Sequence, residues 1–264
     1  MVEIVFFGLV VGFLVGLTGV GGGSLMSPFL LGIGVPAPTA IGTDLVYATI
    51  TKLVGSTQHY RMKSINFPVV GFLALGSIPA GLLGVATVNW LQRVYDPEMV
   101  NTLLKGAIGA VVVFVGLTLI LRFFIPGREP SAVSGRWDGF SKMSVKRKSL
   151  TIALGAVAGY LVGLTSIGSG TMIAIVLLLL YPLIPAVIVG TDIAHGMMLS
   201  LVVGLAHAAS GNVDFGLAAS LLLGGIPGVI LGAHLTRFVP GNLLRIVLAV
   251  MLIFVGTRLI LGLF

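Results

Sequence analysis

Residues 12–26 read GFLVGLTGVGGGSLM, and residues 159–173 read GYLVGLTSIGSGTMI. Gly16/Gly163, Leu17/Leu164, Thr18/Thr165, Gly21/Gly168 and Gly23/Gly170 align at one offset of 147. Further along the chain the repeat continues at an offset of 148: IGTDL at 41–45 matches VGTDI at 189–193, His59 matches His207, and GSIPAGLLG at 76–84 matches GGIPGVILG at 224–232. The ends pair too, LLKG at 103–106 with LLRI at 243–246 and FVG at 114–116 with FVG at 254–256. An apolar segment interrupted at corresponding places in two halves is the sequence pointer to the binding site of a membrane transporter.

Composition identifies the solvent. The chain has 264 residues, 57% hydrophobic and 9% charged, with a mean hydropathy of +1.14. A soluble domain carries about 25% charged residues, so water does not surround most of this one. Apolar runs of about 20 residues, enough to cross a bilayer, recur along it. The formal charge is +7. Seven Lys/Arg and two acids fall between Arg122 and Lys148, in a polar stretch between apolar spans. That pattern reads as a cytoplasmic loop rather than a nucleic-acid site. With no cysteine, disulfides and thiolate metal sites are excluded. The apolar N-terminus recurs at 150–165, so it reads as structure and not as a cleaved leader.

Each half is expected to hold four apolar segments, all helical, because open strand edges cannot face lipid. The first is split, about 3–17 and 24–34, followed by 43–58, 67–88 and 101–122. The second half repeats this at 150–164 and 170–181, then 186–207, 213–235 and 243–263. The domains are therefore an N-terminal repeat (1–122), a basic linker (123–148) and a C-terminal repeat (149–264). If the split segment crosses, the halves are parallel; if it dips in and returns, they are inverted. With the linker in the cytoplasm, only inverted repeats also put Arg237 and Arg245 inside, which the positive-inside rule favours.

Several residues are candidates for chemistry. A helix break exposes backbone donors, and the N-terminus of the half-helix that follows is an anion site. This points to Gly21, Gly22, Gly23 and Ser24 in the first half, and to Ser166, Gly168, Ser169, Gly170 and Thr171 in the second. The plain alternative is glycine for close helix packing. Thr43-Asp44 and Thr191-Asp192 follow Gly and precede apolar runs, as helix N-caps do. They also qualify as proton- or cation-handling carboxylates, since acids at membrane depth are rare. His59 and His207 end their helices, as caps or proton handlers. His195, whose counterpart is Tyr47, lies one turn after Asp192. Lys52 sits mid-helix, where a lysine costs about 2.5–3.5 kcal/mol to insert. Its counterpart is Ser200, so only one half carries this charge. It reads as counter-charge to an anion or partner to an aspartate.

The glycine-broken first segment, the Gly-Thr-Asp pair, the His-Tyr-Arg after it and the Ile-Pro-x-x-x-x-Gly of the third helix resemble the TauE/SafE family of sulfite and sulfonate exporters. The likeness covers essentially the whole chain. It implies a multi-pass permease of the cell (inner) membrane that exports sulfite, organosulfonates or similar small anions. The second break differs, being Gly-Ser-Gly rather than Gly-Gly-Gly. Expected partners are a small anion, the lipid bilayer, a coupling proton or cation and a second copy of the chain. No cofactor, metal or nucleic acid is expected. An uncoupled anion channel is the rival reading. An enzyme is disfavoured by the absence of Ser/His/Asp or His-Glu-x-x-His spacing.

Overall fold

The computed structural model of the chain describes residues 2–18, 23–121, 144–168, 170–181, 183–235 and 241–262. Among these residues there are ten helices and no strand: α1 (Val2–Thr18), α2 (Gly23–Gly32), α3 (Ala37–Arg61), α4 (Phe67–Val94), α5 (Pro97–Leu121), α6 (Val145–Thr165), α7 (Thr171–Leu180), α8 (Pro185–Ala209), α9 (Phe215–Leu235) and α10 (Gly241–Ile260). Five of them, α4, α5, α6, α8 and α9, are long and apolar enough to cross a membrane. Large apolar side chains such as Leu75, Leu83, Leu223 and Phe254 are exposed. In water that surface would aggregate, but in lipid it is the solvated face. Trp90 and Tyr95 pack edge to face at the end of α4, and Tyr60 and Phe67 do so at its start. Paired aromatic ends of this kind suit the two membrane interfaces.

Local sequence explains most helix boundaries. Asn66 caps α4 by accepting from the Val69 N–H at 3.3 Å, and Ser144 caps α6 by accepting from the Arg147 N–H. Proline within the first turn starts α3, α4 and α8, where its missing N–H costs nothing. This corrects one expectation. Thr43-Asp44 and Thr191-Asp192 are not N-caps: α3 begins at Ala37 and α8 at Pro185, so both pairs lie about two turns inside. Gly42 and Gly190 looked like helix boundaries but serve close packing within the helices. The linker reading also extended to residue 148, whereas α6 already begins at Val145.

Packing is by glycine-lined contact. α1 lies along α9, with Gly8 against Leu221, Gly12 against Gly225 and Gly16 against Val229. α6 lies along α4, with Gly155 against Leu73, Gly159 against Ser77 and Gly163 against Gly81. In both pairs the numbers rise together, so the helices run in the same direction. α3 and α9 also run together, since Thr43 meets Asp214 and Tyr47 meets Gly225. α3 and α8 run oppositely: Leu45 meets Gly204, Lys52 meets Gly196 and Gly55 meets Ile193. α5 and α10 also run oppositely, Gly109 meeting Gly256 and Gly116 meeting Ile253. Small residues let backbones approach this closely, which is how helices associate where lipid removes the hydrophobic drive.

Candidate functional site

The repeated Gly-Thr-Asp motif works as a clasp between the halves. Thr43 Oγ1 accepts from the Asp214 N–H at 3.1 Å, where α9 begins. Thr191 Oγ1 accepts from the Asn66 N–H at 3.0 Å, where α4 begins. The preceding glycines share the task. Gly42 lies on the Asn212 carbonyl and Gly190 on the Ser64 carbonyl, so any side chain there would collide with backbone. Each half thus grips the loop between the second and third long helices of the other. His59 and His207 stand over the same loops. His59 Nδ1 pairs with Ser64 Oγ at 2.8 Å. His207 Nδ1 pairs with Asn212 Nδ2 at 3.3 Å, while its Nε2 donates to the Gly163 carbonyl at 2.9 Å.

Asp44 points from α3 to the junction of the two broken segments. Asp44 Oδ2 is hydrogen-bonded to Ser27 Oγ of α2 at 2.8 Å and to Ser166 Oγ at 2.6 Å. The two hydroxyl oxygens are themselves 2.6 Å apart. All three side chains are buried. Ser166 is the C-cap of α6 and sits at φ 63°, ψ −4°, a left-handed conformation uncommon for a residue other than glycine. Strain of this kind gathers at functional positions. Gly168, at φ +123°, completes the turn in a conformation that side chains rarely adopt. Asp44 Oδ1 is buried and has no hydrogen-bond partner among the described residues.

Lys52 lies two turns further along α3, about 12 Å by helical rise. Its ammonium rests against Gly196 of α8, where a side chain would displace it. It lies within electrostatic reach of Asp192 and of Asp44. Glycine at 196 opens the space, and Asp192 comes from the same face one turn earlier. His195, fully buried, pairs through Nε2 with Ser77 Oγ at 2.8 Å. Tyr47, its counterpart in the repeat, instead presses its ring on Gly225 and leaves its hydroxyl without a partner among the described residues. Ser200, the counterpart of Lys52, is buried as well. Among the described residues, the centre therefore holds two carboxyl groups, one ammonium, one imidazole and a set of hydroxyls, with nothing else charged in reach.

The remaining candidates divide. Ser24 is buried and lines an apolar cavity of about 280 Å³ with Phe29, Met251 and Leu252, between α2 and α10. Gly23 opens α2, Gly170 precedes α7 and Thr171 opens it. Gly21, Gly22 and Ser169 lie outside the described residues. Sequence reasoning missed Ser27, which aligns with Ala174 and so carries no repeat signal. It also passed over Ser77, Tyr47 and the pair Asn66/Asp214. That pair does repeat at the offset of 148, and read together with Thr43/Thr191 it would have exposed the clasp.

A helical bundle with an apolar exterior, glycine-broken first segments and charged groups buried at its centre has the build of a multi-pass membrane transporter. The family described as sulfite exporter TauE/SafE matches residues 4–259, and the chain belongs to it. Among proteins similar to it are three from Bacillus subtilis (strain 168). The probable membrane transporter protein YjnA is 43% identical over 260 residues, spanning 98% of this chain and 99% of that protein. The similarly named YunE is 25% identical over 272 residues, covering 98% and 97%. YdhB, named in the same way, is 28% identical over 240 residues, covering 89% of each. No solved structure matches the chain significantly.

Proposed function

We propose that this chain is a secondary exporter of small anions, sulfite, organosulfonates or close chemical relatives, built from two inverted repeats. The anion is held between the two breaks by Lys52 and by the half-helix N-termini of α2 and α7, which carry partial positive charge. Asp44 and Asp192 handle coupling, and the Gly-Thr and histidine contacts fasten the loops that must move as units. The main support is the meeting of both broken segments on one buried carboxyl group, with Ser27 from one and Ser166 from the other.

The inverted arrangement has its own support. Equivalent helices run oppositely, α3 against α8 and α5 against α10, while α1 and α6 are parallel to helices that themselves run oppositely. Because α1 and α3 point the same way, α2 must carry the chain back, so the first segment enters and returns. Arg61, Lys63, Lys146, Arg147, Lys148 and the start of α10 with Arg245 then share one side, the cytoplasmic one. Alternating access follows from rocking one repeat against the other.

Reconstituted protein tests this directly. Vesicles loaded with unlabelled methanesulfonate or sulfite should take up labelled methanesulfonate faster than empty vesicles, the counterflow signature of alternating access. Uptake without counterflow would identify an uncoupled channel. Uptake of neither anion above that of protein-free vesicles would overturn the proposal.

A further inference from the structure

The three oxygens joining the broken segments form a closed triangle, Asp44 Oδ2 to Ser27 Oγ at 2.8 Å, Asp44 Oδ2 to Ser166 Oγ at 2.6 Å and Ser27 Oγ to Ser166 Oγ at 2.6 Å. A triangle of hydrogen bonds needs three hydrogens. The two hydroxyls supply two. If both donate to an ionised carboxylate, the contact between the serines has none, and two lone-pair oxygens face each other at 2.6 Å. A third hydrogen on Oδ2 closes the ring: the acid donates to one serine, that serine donates to the other, and the second donates back to Oδ2.

The charge count agrees. Two buried acids, Asp44 and Asp192, share one ammonium, Lys52. The other groups near Asp44 leave this count unchanged. Among the described residues, α2 and the end of α6 bring only hydroxyl side chains and no charge, Tyr47 is a neutral phenol on α3, and His195 on α8 lies beyond Lys52. Asp214 caps α9 by accepting from the Leu217 N–H. The Oδ1 oxygen, buried without a partner among the described residues, suits the carbonyl of a neutral acid far better than half of a carboxylate. Contacts of 2.6–2.8 Å also leave no room for a metal ion between the oxygens.

We infer that the Asp44–Ser27–Ser166 ring is a proton-binding site, and that its proton is the ion that travels with the anion. The second half of this rests on the transport function proposed above. An anion at Lys52 adds negative charge near Asp44 and so favours the proton there. By reciprocity the bound proton favours the anion. Both are then carried in the same direction.

The proton site is testable without any substrate. Infrared difference spectra of the purified full-length protein between alkaline and acid pH should show the carbonyl stretch of a protonated carboxylic acid. Asp44→Asn should abolish it. Ser166→Gly should shift it, and it keeps the left-handed backbone because glycine adopts that conformation freely. Absence of an Asp44-dependent acid band at every pH, in protein of normal melting temperature, overturns the site. Coupling is read in vesicles loaded with methanesulfonate and the dye pyranine, with voltage clamped by potassium and valinomycin. Methanesulfonate stays ionised and carries no proton of its own. Efflux should make the interior alkaline in the wild type, and Asp44→Asn should reduce that change to the protein-free leak. Efflux at constant interior pH overturns the coupling. Absence of all efflux counts against the transport function, while the acid band still decides the proton site.

Discussion

Lys52 carries the only positive charge at the centre of the bundle among the described residues, and its place depends on what α8 lacks at one position. Gly196 leaves the space into which the ammonium fits. Two predictions follow from this contact. Lys52→Met preserves length and apolar stem but removes the charge. It should weaken binding of methanesulfonate by roughly tenfold or more, the equivalent of about 1.5–3 kcal/mol for a charge-assisted contact. Titration calorimetry on folded mutant protein reads this, and an unchanged affinity would assign Lys52 to structure. Gly196→Val should act from the opposite helix, pushing the ammonium away and lowering affinity while leaving the charge in place. If Gly196→Val binds as the wild type does, the anion does not sit at Lys52.

At the level of elements, the fold depends on helix pairs joined through backbone. Gly159 on α6 faces the Ser77 carbonyl of α4, and Gly163 faces that of Gly81. There is no flexible side chain in the way that could yield. Gly159→Val should therefore separate α6 from α4 and cost about 1–3 kcal/mol or more, as overpacking does. The measurement is the melting temperature in detergent. A comparable enlargement at Gly106, where nothing lies within 4 Å, should leave it unchanged. The threonine clasp gives a second test. Thr191→Val keeps shape but removes the acceptor for the buried Asn66 N–H. The orphaned donor should cost about 1–3 kcal/mol and should loosen the start of α4 first. Hydrogen exchange at residues 64–70 that stays at wild-type rates would show that the clasp carries no load.

For the whole molecule, the charges and the helix directions point to the same side. The end of α5, the start of α6, the loop after α3 and the start of α10 share one end of the bundle, and Glu98 and the loop between α8 and α9 share the other. With no cysteine in the chain, single cysteines report sidedness cleanly. Ser134→Cys and Gly241→Cys should react with an impermeant maleimide only when the cytoplasmic face is open to it. Glu98→Cys should react from outside intact cells. Labelling of Gly241→Cys from outside would instead indicate parallel repeats.

The helical class, the division of the first segments into α1/α2 and α6/α7, and the placing of Asp44 and Lys52 inside the bundle were legible in the chain. Each is written in local terms: apolar run length, glycine spacing, a charge where lipid forbids one. Thr43 and Asp44 were visible as a motif, yet their place was misjudged: they lie inside α3 and not at its start. A glycine before an apolar run looks like a helix start when only neighbours in sequence are considered. In the bundle that glycine accommodates a carbonyl from the other half, 170 residues away in the case of Gly42 and Asn212. Ser27 could not be found at all from the sequence, because nothing in a short apolar half-helix distinguishes Ser27 from Ser24. The two differ by three residues and therefore by about 60° around the helix. Only the packing of α2 against α3 turns one of them toward Asp44 and the other toward an apolar cavity. What the sequence by itself determined is which residues cannot rest in lipid. Which of them meet was decided by the tertiary structure, because such meetings depend on helix direction and rotation, and those are set by backbone contacts between distant glycines.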